Sequence, residues 1–190
     1  MRLALAGLLV ASAGCSAQLK YVERWPLAAP AQRAVRLEVL DSRPADQGGD
    51  NPRQVGVARG GYGNPVPFEN DDPHELTRLV TQATADALHG AGLDAAAQAP
   101  LTLRAKVLRF WIDGYVGYAA HAEVQYDLLD ASGAPLWTQK CEGHEAGAVF
   151  SYGAASDLLS AALAHLASDA NARFKEDAFQ RTFGAAAAPP

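Results

Sequence analysis

The side chains that could do chemistry in this chain are histidines, carboxylates, arginines and two cysteines, and their spacing limits what that chemistry can be. The densest polar run is Glu142-Gly143-His144-Glu145. With His121 across a hairpin, His144 and Glu145 would offer nitrogen and oxygen donors of the kind zinc takes. The simpler reading is a polar strand end on a solvent face. Asp41 and Arg43 form a second candidate, an acid and its orienter. Two residues apart on a strand, they point to the same side. A local ion pair that fixes the following loop is the plainer account. Other signatures fail on spacing. Gly147 to Gly153, around Ser151, does not have the G-x-S-x-G order of a nucleophile elbow. His74-Glu75 is followed by Arg78 where H-E-x-x-H needs its second His. Acid–base catalysis needs convergent groups with tuned pKa values. The expectation is therefore no enzyme, no catalytic residue, no metal and no cofactor, with an envelope hydrolase as the lesser alternative.

Cys15 is a different case. Met1-Arg2 opens the chain with positive charge, and Leu3 to Ala13 carries none. That run is far short of the roughly 20 residues a membrane-spanning helix needs. A basic start, a short apolar core and small residues before a cut form the secretory signal pattern. Ser12-Ala13-Gly14-Cys15 resembles the lipobox of bacterial lipoprotein precursors, with Ser12 where Leu is usual. The resemblance implies cleavage before Cys15 and acylation there, with fatty chains such as palmitate. Each buried CH₂ contributes about 0.8 kcal/mol, so several chains anchor firmly. Ser16 stands where an Asp would mark inner-membrane retention, so the expected location is the outer membrane, facing the periplasm. An ordinary signal peptide beside a chance cysteine is the alternative.

Composition narrows the rest. Taking residues 1–14 as leader leaves 190 − 14 = 176 residues, enough for one domain with a real core. A net charge of −5 and a pI near 5.5, with no basic stripe, argue against nucleic acid. With Cys15 acylated, Cys141 has no partner for a disulfide. It reads as a small buried residue on a strand.

The order of elements follows from periodicity. Residues 15–33 read as lipid anchor and tether, in which Tyr21, Val22, Trp25 and Leu27 could pack onto the domain. Val35, Leu37 and Val39 alternate as a strand that stops at Pro44. A long Gly-, Pro- and Asn-rich loop follows, with a short strand at residues 55–58. Asp72, Pro73 and Glu75 predict a capped helix start. Leu76, Leu79, Val80, Ala83, Ala87 and Leu88 predict its apolar stripe, with Asp86 largely off it. Residues 101–112, 120–128 and 135–141 predict a meander, with both faces apolar near Phe110-Trp111-Ile112. A single long helix is expected from about Ser156 to Phe183. One-striped helices and alternating strands imply an α+β two-layer sandwich: a mostly antiparallel sheet with two helices on one face. The domain is expected over residues 34–183, with a disordered tail at 184–190.

Aromatic residues near turns are the remaining signal, since exposed aromatics anchor interfaces. Tyr62, Phe68, Tyr115, Tyr118, Phe150 and Tyr152, with Arg43, are the candidate partner contacts. Core edge is the competing reading for most of the aromatics.

Together the pieces Val39-Leu40-Asp41-Ser42-Arg43, Val55-Gly56-Val57, Leu88-His89-Gly90-Ala91-Gly92-Leu93 and Asp130-Ala131-Ser132-Gly133-Ala134-Pro135-Leu136-Trp137 resemble the YajG-type lipoproteins of Gram-negative bacteria. The likeness covers about residues 34–175. More distantly, the chain is similar to small α+β periplasmic lipoproteins such as LptE and transporter-associated auxiliary lipoproteins. The resemblance implies an outer-membrane anchor and no catalysis. The expected role is a tethered domain that docks on an unidentified envelope protein. An auxiliary of LPS or lipid transport is the runner-up. An apolar groove between helix and sheet would favour the runner-up, and a filled core would favour protein binding.

Overall fold

The computed structural model describes residues 19–25, 31, 33–59, 65–114, 117–148 and 151–187. Cys15 and the leader, and the candidate contacts Tyr62, Tyr115 and Phe150, lie outside the described residues.

The elements are β1 (Ala34–Asp41), a 3₁₀ turn (Ala45–Gln47), β2 (Gln54–Arg59), β3 (Pro65–Glu69), α1 (Glu75–Gly90), β4 (Asp94–Ala95), β5 (Thr102–Asp113), β6 (Tyr118–Leu129), β7 (Pro135–Gly147), α2 (Tyr152–Lys175) and α3 (Asp177–Ala187). The fold is α+β, and among the described residues seven strands form a mixed sheet. The long ladders β5–β6 and β6–β7 are antiparallel, as is β2–β3. β1 and β2 both run parallel to β5. They share one edge of that strand: β1 pairs with Arg36↔Thr102 through Asp41↔Val107, and β2 with Val57↔Trp111 through Arg59↔Asp113. The chain therefore leaves the edge after β1, loops, and re-enters it in the same direction.

The predicted stripe of α1 is buried throughout. The helix begins at Glu75, later than the cap signal suggested, with His74 at the N-cap. Asp72 still organises the entry. Its carboxylate accepts from the His74 N–H at 2.9 Å, and its carbonyl accepts from the Glu75 N–H at 3.2 Å. Glu75 bonds to Arg78 instead of closing a capping box. Gly92 then takes φ +75°, the left-handed conformation that glycine allows at a helix end.

The doubly apolar stretch of β5 has a local cause. The β5–β6 register shifts between Val107 and Arg109, an irregularity of the kind a bulge makes. Leu103, Ala105 and Val107 face the helices before it, and Phe110 and Ile112 after it, all of them buried. The inward phase thus moves from odd to even positions.

The helices lie on one face of the sheet and bury Leu79, Leu88, Phe110, Tyr126, Leu159, Leu163 and Phe174. Gly143 permits close approach: a Cβ there would stand 1.9 Å from the Ala162 carbonyl oxygen. The expected single C-terminal helix is two. Glu176 is extended, with φ −62° and ψ 143°. The break lets Phe179 pack against Trp137 and Phe174, at ring distances of 4.9 and 5.1 Å. Helix α3 carries on to Ala187, so residues 184–187, expected as part of a disordered tail, are helical.

Residues 19–25, expected in the tether, are docked on the helical layer. Asp86 on α1 is buried, though its place off the apolar stripe suggested exposure. Its carboxylate accepts from the Tyr21 hydroxyl at 2.5 Å and from the Arg24 and Trp25 N–H groups at 2.7 and 2.9 Å. Burial, followed by the bond to Asp86, pushes the Tyr21 phenol well above its ordinary pKa. The Lys20 N–H donates to Ser160 Oγ at 3.0 Å, and Arg24 reaches Ser168 on the same helix.

Candidate functional site

The Asp41–Arg43 pair is a clamp. Arg43 Nε and Nη2 bond Asp41 at 2.9 and 2.8 Å, and its other contacts are the carbonyls of Gln47 (3.1 Å), Gly48 (3.4 Å) and Gln54 (2.6 Å). The side chain is 0% exposed. It ties the end of β1 to the start of β2 and holds the loop between them. Arg43 is therefore withdrawn from the candidate partner contacts: a buried charge is kept by such partners, and this one has none of its donors facing outward. Phe68 is withdrawn for a similar reason, since it is part of the core.

The His and Glu candidates are divided by the alternation of the sheet. His121 and His144 are direct cross-strand partners, with ring centroids 4.9 Å apart. Both lie on the face away from the helices. Burial, then the neighbouring His144, holds the His121 pKa below its ordinary value. Glu145 is next in β7 and so points the other way. There its carboxylate stands 3.5 Å from His165 of α2. The three do not converge. Among the described residues no group of three or more His, Cys, Asp or Glu could hold a metal ion.

The face away from the helices is a ladder of cross-strand ion pairs. Glu38 meets Arg104 at 2.8 Å, Asp127 meets Lys106 at 2.8 Å, and Lys140 bridges Glu123 and Glu142 at 3.3 and 2.8 Å. Asp127 also accepts from Thr138 and Gln125. Burial alone would raise its pKa; the bonds from Lys106, Thr138 and Gln125 together hold it below the usual carboxylate value. At one end of this face two guanidiniums lie over the Trp111 ring, Arg59 at 4.0 Å and Arg109 at 5.4 Å from its centroid. Its indole N–H is buried with no hydrogen-bond partner among the described residues. At the other end a shallow groove of about 240 Å³ is lined by Arg36, Glu38, Thr102, Arg104 and the Asp130–Gly133 turn.

The outer edge of β7 is occupied by side chains. Asp169 accepts from the Glu142 N–H at 3.0 Å, His165 Nδ1 meets the His144 carbonyl at 2.6 Å, and the Gln139 amide donates to the Lys140 carbonyl at 3.0 Å. Such contacts block strand addition at that edge. Cys141 is fully buried, and burial pushes its thiol up to about 12.

Of the aromatic candidates, Tyr118 is half-exposed at the start of β6. Tyr152 begins α2. Sequence reasoning did not single out Arg59 or Asp86. A carboxylate next to Ala87 and Leu88 was the available signal for the second; for the first there was none.

No family model matches this sequence, and no curated protein matches it. Among solved structures, a DUF330 protein from Xanthomonas campestris superposes with a TM-score of 0.61 at 18% identity, covering 87% of this chain and 96% of that one. This likeness is one of fold. Two others fall below the level at which shape similarity carries an argument. A PelC dodecamer chain from Paraburkholderia phytofirmans scores 0.40 at 16% identity, covering 77% of this chain and 93% of that one. A provisionally described lipoprotein from Caulobacter crescentus scores 0.41 at 20% identity, covering 56% of this chain and 83% of that one.

Proposed function

We propose that this chain is a lipid-anchored, non-enzymatic lipoprotein of the bacterial envelope that presents its domain to a protein partner in the periplasm. The observation that carries the anchor is Ser12-Ala13-Gly14-Cys15 at the end of an uncharged run. A cysteine thiol acylated there needs no further membrane segment. Among the described residues no helix is long and apolar enough to cross a membrane.

The groups proposed for catalysis are otherwise engaged. Arg43 and Asp41 satisfy each other and the loop, and Glu145 is on the wrong face to join His121 and His144. What the domain offers is a surface. One face of the sheet is covered by helices and the β7 edge is taken by α2, which leaves the ion-paired face with Trp111 as the broad side that no described helix covers. A ladder of fixed charges suits specific recognition, because mismatched charges across an interface are strongly disfavoured. The interface between helices and sheet is filled by side chains such as Phe110, Tyr126 and Leu159. That favours a protein partner over an apolar ligand held between the layers.

The test is membrane fractionation of cells producing the wild type and Cys15→Ala, followed by crosslinking in intact cells. The wild type is expected in the outer-membrane fraction, and the variant is expected to leave it. Unchanged membrane association of the variant would sink the anchor. A Lys106→Glu/Arg104→Glu variant should keep its membrane location and lose its crosslinked partner.

A further inference from the structure

Two of the sheet's outer strands are closed to another strand, and a third is not. The β7 edge carries the Asp169, His165 and Gln139 bonds already described. β3 is short and holds Pro67, and both features blunt an edge. β1 differs. Its even residues serve β5: the Arg36 and Ser42 N–H groups donate to the Leu101 and Val107 carbonyls at 2.9 and 3.0 Å. Its odd residues turn their N–H and C=O groups the other way. There β4 pairs only with Ala34 and Val35, and the Val35 carbonyl accepts from the Ala96 N–H at 2.9 Å. No described backbone pairs with Leu37, Val39 or Asp41 on that side. β4 beside β1 and β3 beside β2 thus leave a gap between them, opposite Leu37 to Asp41. A strand of that length spans about 17 Å.

The side chains of β1 follow the same gap. Val35, beside β4, is fully buried, whereas Leu37 and Val39, next on the same inward face, are half-buried. Leu40, on the ion-paired face, is 38% exposed. Arg36 is exposed on that face too. Its guanidinium bonds the Thr102 hydroxyl at 2.6 and 3.0 Å, and no described carboxylate is within ion-pair range of it. The neighbouring Glu38 is taken by Arg104.

We propose that the β1 edge takes an extended segment of a protein partner as an added antiparallel strand, with an acidic side chain across from Arg36 and apolar side chains beside Leu37, Val39 and Leu40. This deepens the partner-binding reading above and rests on it. Main-chain bonds from Leu37, Val39 and Asp41 hold the segment, and its alternate side chains select it. The acid gives Arg36 a charge-assisted bond, which a hydroxyl does not. Antiparallel pairing is the slightly stronger kind. A second copy of β1 fits less well. In the antiparallel register that uses Leu37, Val39 and Asp41 together, Glu38 stands against Leu40, and Arg36 meets Ser42 instead of an acid.

The experiment titrates the purified full chain into a fluorescein-labelled, C-terminally amidated peptide, Gly-Ser-Val-Leu-Val-Thr-Val-Glu, and reads polarization. Saturable binding is expected. Val39→Pro removes an outward N–H and spares the β5 ladder, whose donors are the even residues. It should weaken binding about tenfold, as the loss of a main-chain bond does, whereas Val39→Ala keeps that N–H and should stay within about threefold. Arg36→Glu should weaken binding severalfold, and a peptide ending in Lys should restore it; this charge exchange decides the matter where Val39→Pro fails to fold. Amide exchange at Leu37 and Val39 should be fast in the free protein and slow with peptide. No saturable binding, equal binding by Val39→Pro, or Arg36→Glu without effect overturns the proposal. Slow exchange at Leu37 and Val39 in the free protein overturns it too, in favour of a second copy where ultracentrifugation finds a dimer and of the chain's own residues where it finds a monomer. Crosslinking in intact cells separates the two readings. A partner captured by Val39→Pro as well as by the wild type removes this proposal alone; no partner captured by the wild type removes both.

Discussion

The Tyr21 hydroxyl donates to the buried Asp86 carboxylate at 2.5 Å, so a residue six positions after Cys15 is latched to the C-terminal half of α1. Asp86 also holds the Arg24 and Trp25 N–H groups. Asp86→Ala should release residues 19–25 and cost about 2 kcal/mol, as expected when bonds to a charged acceptor are removed. Hydrogen exchange at residues 20–25 and the fluorescence of Trp25 would report it. Unchanged protection of the strap would show that apolar packing alone holds it.

Arg43 should be among the least replaceable residues. Arg43→Ala leaves Asp41 and the Gln54 carbonyl without their partner, and a broken buried pair costs roughly 3–5 kcal/mol. Arg43→Lys should recover little, because a single ammonium cannot span the fork of contacts a guanidinium makes. Urea unfolding of both variants checks this. A loss under about 1 kcal/mol would contradict the clamp.

Gly143→Ala should fail to fold or lose most of its stability. The added Cβ meets the backbone of α2 at Ala162, and a helix backbone cannot step aside as a side chain can. Gly133→Ala is the contrast. It is at φ +85° with open space around it, so only a backbone strain of about 1 kcal/mol is expected. Thermal melting of the pair separates the two kinds of glycine.

Acid should weaken the fold in two windows. The His121 pKa is lowered in the fold, so the unfolded chain binds its proton more readily. The stability this contributes is complete above the ordinary imidazole value of about 6.5 and is lost as pH falls below it. The Asp127 pKa is lowered too, so its contribution is present above about 4 and lost as pH falls through the folded value. Stability measured against pH should therefore dip first on the histidine limb. His121→Gln should remove that first dip and leave the carboxylate limb in place.

The Cys141 thiol should resist alkylation by iodoacetamide in the native protein and react at once in urea. Burial keeps it protonated and out of reach, and thiols attack as thiolates. Ready labelling under native conditions would mean that β7 opens away from α2.

The sequence by itself determined the elements whose periodicity is local. The α1 stripe, the alternation of β6 and the buried Cys141 follow from which side chains must leave water. So does the helices-on-one-face α+β arrangement. The likeness of Ser12 to Cys15 to a lipobox, and the pairing of Asp41 with Arg43, were also visible from types and spacing alone. Tertiary structure decided what depends on distant partners. Two parallel strands share one edge of β5 because Arg43 splices them, which no local pattern encodes. The register shift near Leu108 turned an ambiguous apolar run into two inward phases. Phe68 was taken into the core, and Glu145 was placed across the sheet from the two histidines because adjacent strand residues point to opposite faces. Asp86 changed from an off-stripe carboxylate into a buried latch when the N-terminal strap folded onto it. Burial and hydrogen bonding between residues sixty positions apart are properties of the packed chain, and a linear pattern carries no record of them.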